Sequence, residues 1–328
     1  MISEFSLDRD FFSARTLNDD ANSAAHDFIT RSWLDVGVLV LPRGGVTDVL
    51  KLIDTLPPKF RQRWLEALEY GKKYEVDREW WDFSDYTDFS KIRELSSVFK
   101  TAFSEETAGL QLGAQDSYKQ FCIETNFELL AAGVCSESIN ITNSLGLSES
   151  EILESDTPKK VWDTRFEALA RHSKKITIVD RYFFENIRKA ASRDSTDEAM
   201  KNFFSFLSKI DKKFNIRIIS HGGEKGSDFH AGVHDAFYKG VYKIPAYWKA
   251  IGSLTLVSAK EDFFVKKSHD RFLGFDRHIC QVGNGMRVLG STPIPSSTFL
   301  AKFDRDGDLS RRESLASSRD FQLWHENF

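Results

Sequence analysis

Ile176-Thr177-Ile178-Val179-Asp180-Arg181-Tyr182 opens the stretch that decides the fold. Four consecutive β-branched residues favour a strand, and the polar Asp-Arg-Tyr that follows marks its end. Helical patterns come next, near residues 183–191 and 196–213. A second apolar run, Ile216-Arg217-Ile218-Ile219, ends at Ser220-His221-Gly222-Gly223. Strands separated by helices imply parallel βαβ units, because a crossover of this length returns the chain to the same edge of the sheet. Further strand-like runs lie at Ser253 to Ser258, Arg271 to Phe275 and Ile279 to Val282, with another near 296–303. Upstream, Lys159 to His172 places Trp162, Phe166 and Leu169 on one helical face. The second half is therefore expected to be an α/β domain, a mixed sheet covered by helices.

Further toward the N-terminus, Ser144 to Thr157 is rich in Ser, Glu and Asp and runs into Pro158. It sets the expected boundary between an N-terminal domain, 1–157, and a C-terminal one, 158–328. Residues 1–25 are polar and poorly periodic and read as an extended or mobile arm. A helix is expected over Ala25 to Trp33 and a buried strand over Gly37 to Leu41, broken by Pro42-Arg43-Gly44-Gly45. Thr47 is placed to cap a helix from Asp48 to Leu56, which Pro57-Pro58 stops. Residues 59–72 form an amphipathic helix, Trp80 to Asp88 a loop, and 90–103 and 117–132 two more helices. Ser138 to Thr142 alternates like a strand. This domain is α/β or mainly helical, and its residues disclose no role.

Composition narrows the classes. The chain has 328 residues, 41% hydrophobic and 29% charged, which is globular rather than disordered. A formal charge of -4 means that any surface for nucleic acid must be local. Cys122, Cys135 and Cys280 are odd in number and widely spaced, which argues against a disulfide framework and for reduced thiols. Met1 to Asp10 lacks the apolar core of a signal peptide, and no run reaches membrane-spanning length. A cytoplasmic protein is expected.

The chemistry concentrates in His269-Asp270-Arg271-Phe272-Leu273-Gly274-Phe275-Asp276, followed after six residues by Gly283-Asn284-Gly285-Met286. The spacing of His, cation, Asp and Gly resembles that of the phospholipase D superfamily, whose motif is H-x-K-x4-D, six residues, then G-S-x-N. The resemblance covers about the last half of the chain. It is nearest to single-motif phospholipase-D-like domains, in which such a segment follows a strand ending like Asp180-Arg181-Tyr182. It implies a phospholipase-D-like mixed sheet and a phosphate site. There His269 attacks phosphorus, Arg271 holds the non-bridging oxygens, and Asp276 is a buried partner that steadies the loop or a ring. Strand alternation puts His269 and Arg271 on one side. Gly283, Asn284 and His221 are expected to line the phosphate.

Two departures matter. Arg271 stands where the family has Lys, which preserves charge but changes shape. Met286 stands where the family has Asn. The expected function is a metal-independent phosphodiesterase, a nuclease on the family's pattern, working in bacterial antiviral defence or DNA metabolism. The alternative is an inactive module that binds nucleic acid or another phosphate ligand. Because the mechanism uses two histidines and the chain has one motif, a homodimer sharing His269 and Arg271 across a two-fold axis is expected.

Neither a cofactor nor a resident metal is expected. His230 and His234 share a helical face but lack the Glu of a zinc-protease motif, so they are expected to be polar helix residues. Asp304, Asp306 and Asp308 resemble a calcium loop, but Leu309 and Leu315 occupy its Gly and Glu positions. Asp35, Asp85, Asp88, Asp116 and Glu124 form no spacing that a metal nuclease would need; a nuclease site among them is a third reading, tested by magnesium dependence.

Overall fold

The structure is a computed structural model that describes residues 1–77, 93–107, 116–268 and 271–328. The expected loop over Trp80 to Asp88, and His269 itself, lie outside the described residues. Two compact units emerge, Met1–Gly146 and Leu147–Phe328. The polar stretch around residues 147–157 belongs to the second unit. Ile152 and Ser297 exchange backbone hydrogen bonds of 2.9 Å in both directions, and Arg165 donates to the carbonyls of Leu147 and Glu151. Its Asp156 is buried, accepts from Leu153 N at 2.9 Å and pairs with Lys160, so the stretch is part of the fold rather than a linker.

The N-terminal unit is α/β, built on a parallel sheet. Among the described residues its strands are β1 (Ser3–Leu7), β2 (Gly37–Pro42), β3 (Lys72–Val76), β4 (Thr101–Ser104) and β5 (Glu128–Ala131), in the order β3-β2-β1-β4-β5. The expected arm is thus corrected: β1 is the central strand, paired in parallel with β2 and β4. Few apolar residues mark it, yet Phe5, Leu7, Phe11, Phe12 and Leu17 are all buried. Helices Ala24–Val36 and Pro58–Tyr70 pack aromatic residues against it, with Phe5 edge-on to Trp33 at 5.9 Å and Phe12 to Trp64 at 5.1 Å.

Three other expectations change. The helix expected at 117–132 ends at Thr125, because Asn126 takes a left-handed φ of 54° and the chain turns into β5. The end of the expected 90–103 helix is strand β4. Ser138 to Thr142 starts a helix, Ile139–Glu149, not a strand. Ser138 Oγ accepts from Ile141 N at 3.2 Å and the Glu128 carboxylate accepts from Ile139 N at 2.9 Å, so capping outweighs the local alternation.

The C-terminal unit carries β6 (Lys175–Val179), β7 (Phe214–Ser220), β8 (Ile251–Ala259), β9 (Phe272–Phe275), β10 (His278–Val282), β11 (Phe299–Phe303) and β12 (Gln322–Asn327). The order is β11-β10-β9-β6-β7-β8-β12. The first three strands are mutually parallel, β6 to β7 to β8, as the crossover pattern predicts. Strand β9 runs antiparallel to β6, and β10, β11 and β12 are antiparallel additions. The sheet is mixed and flanked by helices; β12 was not foreseen. One face packs Val179, Ile219, Val257 and Phe272 against Phe263, Leu309 and Ala316. Asp304 accepts from the amides of Asp308 (2.7 Å) and Leu309 (3.0 Å), capping helix Asp308–Ala316. Of the calcium-like acids, Asp304 thus serves as a helix cap and Asp308 pairs with Arg311. Among the described residues no helix is long and apolar enough to cross a membrane.

Candidate phosphate site

The mixed topology assembles the site. Val179 pairs with Ile219 on one side and with Phe272 on the other. One residue further, Asp180, Ser220 and Arg271 lie at the same end of the sheet. That end also receives the close of β10, where Val282 N donates to the Arg271 carbonyl at 2.9 Å. The carboxyl ends of parallel strands are where α/β proteins hold ligands. Here the antiparallel β9 brings a cation to that edge from the opposite direction.

Asp180 is the centre. Its side chain is 2% exposed. Oδ1 accepts from Tyr182 N at 3.0 Å and Oδ2 from Met286 N at 2.9 Å. Burial pushes its carboxyl above the usual range, opposed by these two amides and by the charges of Arg271 and Arg287. Gly285 makes this possible. Its φ is 54°, and a Cβ there would collide with Asp180 Oδ2 and lie 2.7 Å from Arg271 Cδ.

Arg271 faces this acid without being used up by it. Nε stands 3.8 Å from Asp180 Oδ1, too long for a hydrogen bond, and 24% of the side chain remains exposed. Its guanidinium sits 5.0 Å from the centre of the Tyr182 ring, and that of Arg181 is also 5.0 Å away. Arg181 is engaged in an ion pair with Glu261. The ring and the acid orient Arg271, whose N–H donors make no hydrogen bond among the described residues.

The expected residues divide. Arg271, Gly283 and Asn284 come to one edge. The Asn284 amide donates to the Ser296 carbonyl at 2.6 Å, and its backbone N donates to Ser297 Oγ at 2.9 Å. Gly283 N donates to the Thr298 carbonyl at 3.0 Å, and a Cβ there would meet Thr298 Oγ1 at 2.6 Å. These residues shape the loop. His221 follows β7 at the same edge, but the partners that fix its ring come from elsewhere: Nδ1 lies 3.1 Å from the Ala259 carbonyl and Phe229 is edge-on at 6.2 Å. A carbonyl only accepts, so Nδ1 carries a proton in this contact.

Asp276 is not brought to this edge. It lies at the far end of β9, exposed rather than buried, with a φ of 52°. Its carboxylate accepts from Lys175 N at 2.9 Å and Lys174 N at 3.2 Å, which fixes the entry to β6. It acts as a backbone clamp at the opposite turn, not as a buried partner at the phosphate edge. His230 and His234 are structural too: His230 Nε2 is 2.9 Å from Glu326 Oε1 and His234 stacks on Tyr238. Among the described residues no three His, Cys, Asp or Glu side chains form a group suited to a metal.

Sequence reasoning used Asp180 and Tyr182 only as a landmark and overlooked Gly285. The available signal was the acid directly after a β-branched strand, a position at the ligand edge of a parallel sheet. No protein-family model matches the chain, and no curated protein matches it.

Proposed function

We propose that the C-terminal unit binds a phosphate or phosphodiester group at the Arg271 edge of its sheet, as a binding module. The observation that carries this reading is a half-buried guanidinium, oriented by Tyr182 and Asp180, whose donors make no hydrogen bond among the described residues. Charge-assisted bonds from such a fork suit phosphate oxygens. Binding is favoured over turnover because the loop donors are occupied. Asn284 is bonded to Ser296, and the Met286 amide serves Asp180. Isothermal titration with inorganic phosphate tests it. Wild type should bind, and Arg271→Ala should lose about tenfold to hundredfold in affinity. Equal affinity in both proteins removes Arg271 from the site.

A second reading is metal-independent cleavage of nucleic acid in the cytosol, in antiviral defence or DNA metabolism. The spacing of His269 to Arg271 supports it, as does the imidazole of His221 at the same edge of the sheet. On this reading the second imidazole comes either from His221 or from His269 of a second copy in a homodimer. Nuclease activity that persists in EDTA is its signature. Mixing wild type with His269→Ala chains would silence a shared site in the heterodimers; a fully active monomer would rule sharing out.

A further inference from the structure

Among the described residues the two sheets end in four edge strands, β3, β5, β11 and β12. Three of these are guarded against a further strand. Strand β3 carries Lys72 and Lys73, β5 is four residues long, and β11 carries an exposed Lys302 and follows the bridge between Ile152 and Ser297. Strand β12 is open. Gln322–Asn327 holds neither Lys nor Pro, and its one irregularity, between Gln322 and Trp324, leaves the rest of the strand in register. Phe328 N donates to the Leu254 carbonyl at 2.9 Å, and Glu326 lies opposite Leu256. Alternation then turns the N–H and C=O of His325 and Asn327 away from β8, and both residues are exposed. We propose that an acidic, aromatic-bearing segment of a partner protein adds to this edge as a further strand.

The side chains beside the edge select what such a segment carries. Phe328 lies 5.4 Å from the His234 ring and 6.3 Å from that of Tyr242. His234, Tyr238 and Tyr242 stack in series, with 6.2 and 5.3 Å between ring centres, and Trp248 closes on Tyr242 at 4.7 Å. Tyr238 and Tyr242 are 37% and 39% exposed, so the rings form a shelf of apolar area next to the open edge. A single exposed ring is ordinary, whereas a contiguous row marks an interaction surface. Alternate side chains of an added strand fall on that shelf, which suits aromatic and apolar residues there. Charge sets the remaining positions. Lys243 is exposed, with Nζ 4.9 Å from the centre of the Tyr238 ring, and forms no ion pair among the described residues. The nearby acids are engaged, Glu326 with His230 at 2.9 Å and Asp235 with Lys239 at 2.7 Å. The uncommitted charge is positive, so carboxylates on the segment are attracted. A second copy of this chain would bring the same positive charge to the same edge, which disfavours self-pairing.

Calorimetry on the full chain tests this with the end-blocked pentapeptide Glu-Phe-Glu-Val-Glu. Wild type should bind it, and should bind the same peptide with Lys for each Glu about tenfold more weakly or worse. His325→Pro removes one outward N–H and no bond to β8, so it should weaken the acidic peptide about threefold to tenfold. Lys243→Glu should weaken it by a similar factor and favour the lysine peptide. Two N-methylated peptides probe the backbone without altering the protein. Methylation of the alternate amides that face β12 should abolish binding, whereas methylation of the other set should leave affinity within about twofold. Equal effects of the two sets overturn strand addition, as does unchanged affinity in a folded His325→Pro protein. No binding of the acidic peptide to wild type overturns the docking surface. A lysine peptide that binds as tightly overturns the acidic assignment. Self-association of wild type that His325→Pro abolishes makes a second copy the occupant and overturns the partner segment.

Discussion

The two units bury ionisable groups in opposite ways. In the N-terminal unit His26 is fully enclosed, stacked on Phe60 at 3.8 Å. Nε2 reaches the Leu17 carbonyl at 3.0 Å, and Nδ1 accepts from Trp64 Nε1 at 2.9 Å. Both nitrogens are satisfied and the ring stays neutral, so nothing remains for a ligand. In the C-terminal unit Asp180 is equally buried, but its nearest cation stops at 3.8 Å and keeps a solvent-facing side. A closed polar network supports a fold. An incomplete one, at the carboxyl edge of a sheet, is where a ligand gains most. Topology makes the difference. In the parallel sheet every strand described brings its carboxyl end to one edge, whereas in the mixed sheet the start of β9 reaches that edge too.

The strongest way to break this comparison is at Gly285. Gly285→Ala forces a side chain into a left-handed conformation and into Asp180 Oδ2. Backbone strain of about 1 kcal/mol and overpacking of about 1–3 kcal/mol add to an expected loss of roughly 2–4 kcal/mol in urea unfolding. Phosphate binding should disappear with it. A variant as stable as wild type would mean that Asp180 is not held as described.

The closed network has its own signature. Burial, chiefly, pushes the His26 imidazole down from 6.5 to about 4. As pH falls, the unfolded chain takes up a proton near 6.5, while the folded chain resists until about 4. Stability is therefore present above pH 6.5 and is lost across that window, by about 3 kcal/mol at its lower end. His26→Gln should flatten this part of the pH profile. An imidazole that titrates near 6.5 in the folded protein, followed by NMR, would refute the account.

Arg271→Ala is expected to act mainly on binding. The binding loss corresponds to about 1.5–3 kcal/mol. Its stability effect is smaller and depends on pH. Asp180 is raised by burial, so its folded carboxyl disfavours ionisation, and Arg271 offsets this. Protonated Asp180 needs no cation. The variant should therefore match wild type most closely below the ordinary carboxylate range and fall behind as pH rises toward neutrality. A stability deficit that is constant with pH would show that Arg271 does not stabilise the ionised acid.

Legibility follows the same divide. Strands β6 and β7 are readable because their β-branched runs are bounded by polar residues and separated by helical periods. Strand β1 was not, since Ser3–Leu7 holds only Phe5 and Leu7 as apolar residues and gains its burial from neighbours distant in sequence. Local alternation misled at Ser138, where a capping bond from Glu128 wins. Of the candidate site, Arg271 and its loop were visible as a spaced motif. Asp180 and Gly285 become partners only through the register of β9 on β6, which no local pattern contains.

The smallest effect sharpens the assignment most. Asp276 shares the motif with Arg271, yet the two are separated by the length of β9, roughly 16 Å of extended chain. Asp276 holds the amides of Lys174 and Lys175 from a left-handed position that Asn also tolerates. Asp276→Asn keeps one acceptor oxygen and the backbone preference, so it should cost about 0.5–1 kcal/mol. Asp276→Ala loses both and should cost somewhat more. Neither reaches the phosphate edge, so affinity for inorganic phosphate should stay within about twofold of wild type in both, a difference under 0.5 kcal/mol. A drop in affinity that exceeds the change in stability would put Asp276 in communication with the ligand, and the motif would then act as one unit rather than as a cation and a distant clamp.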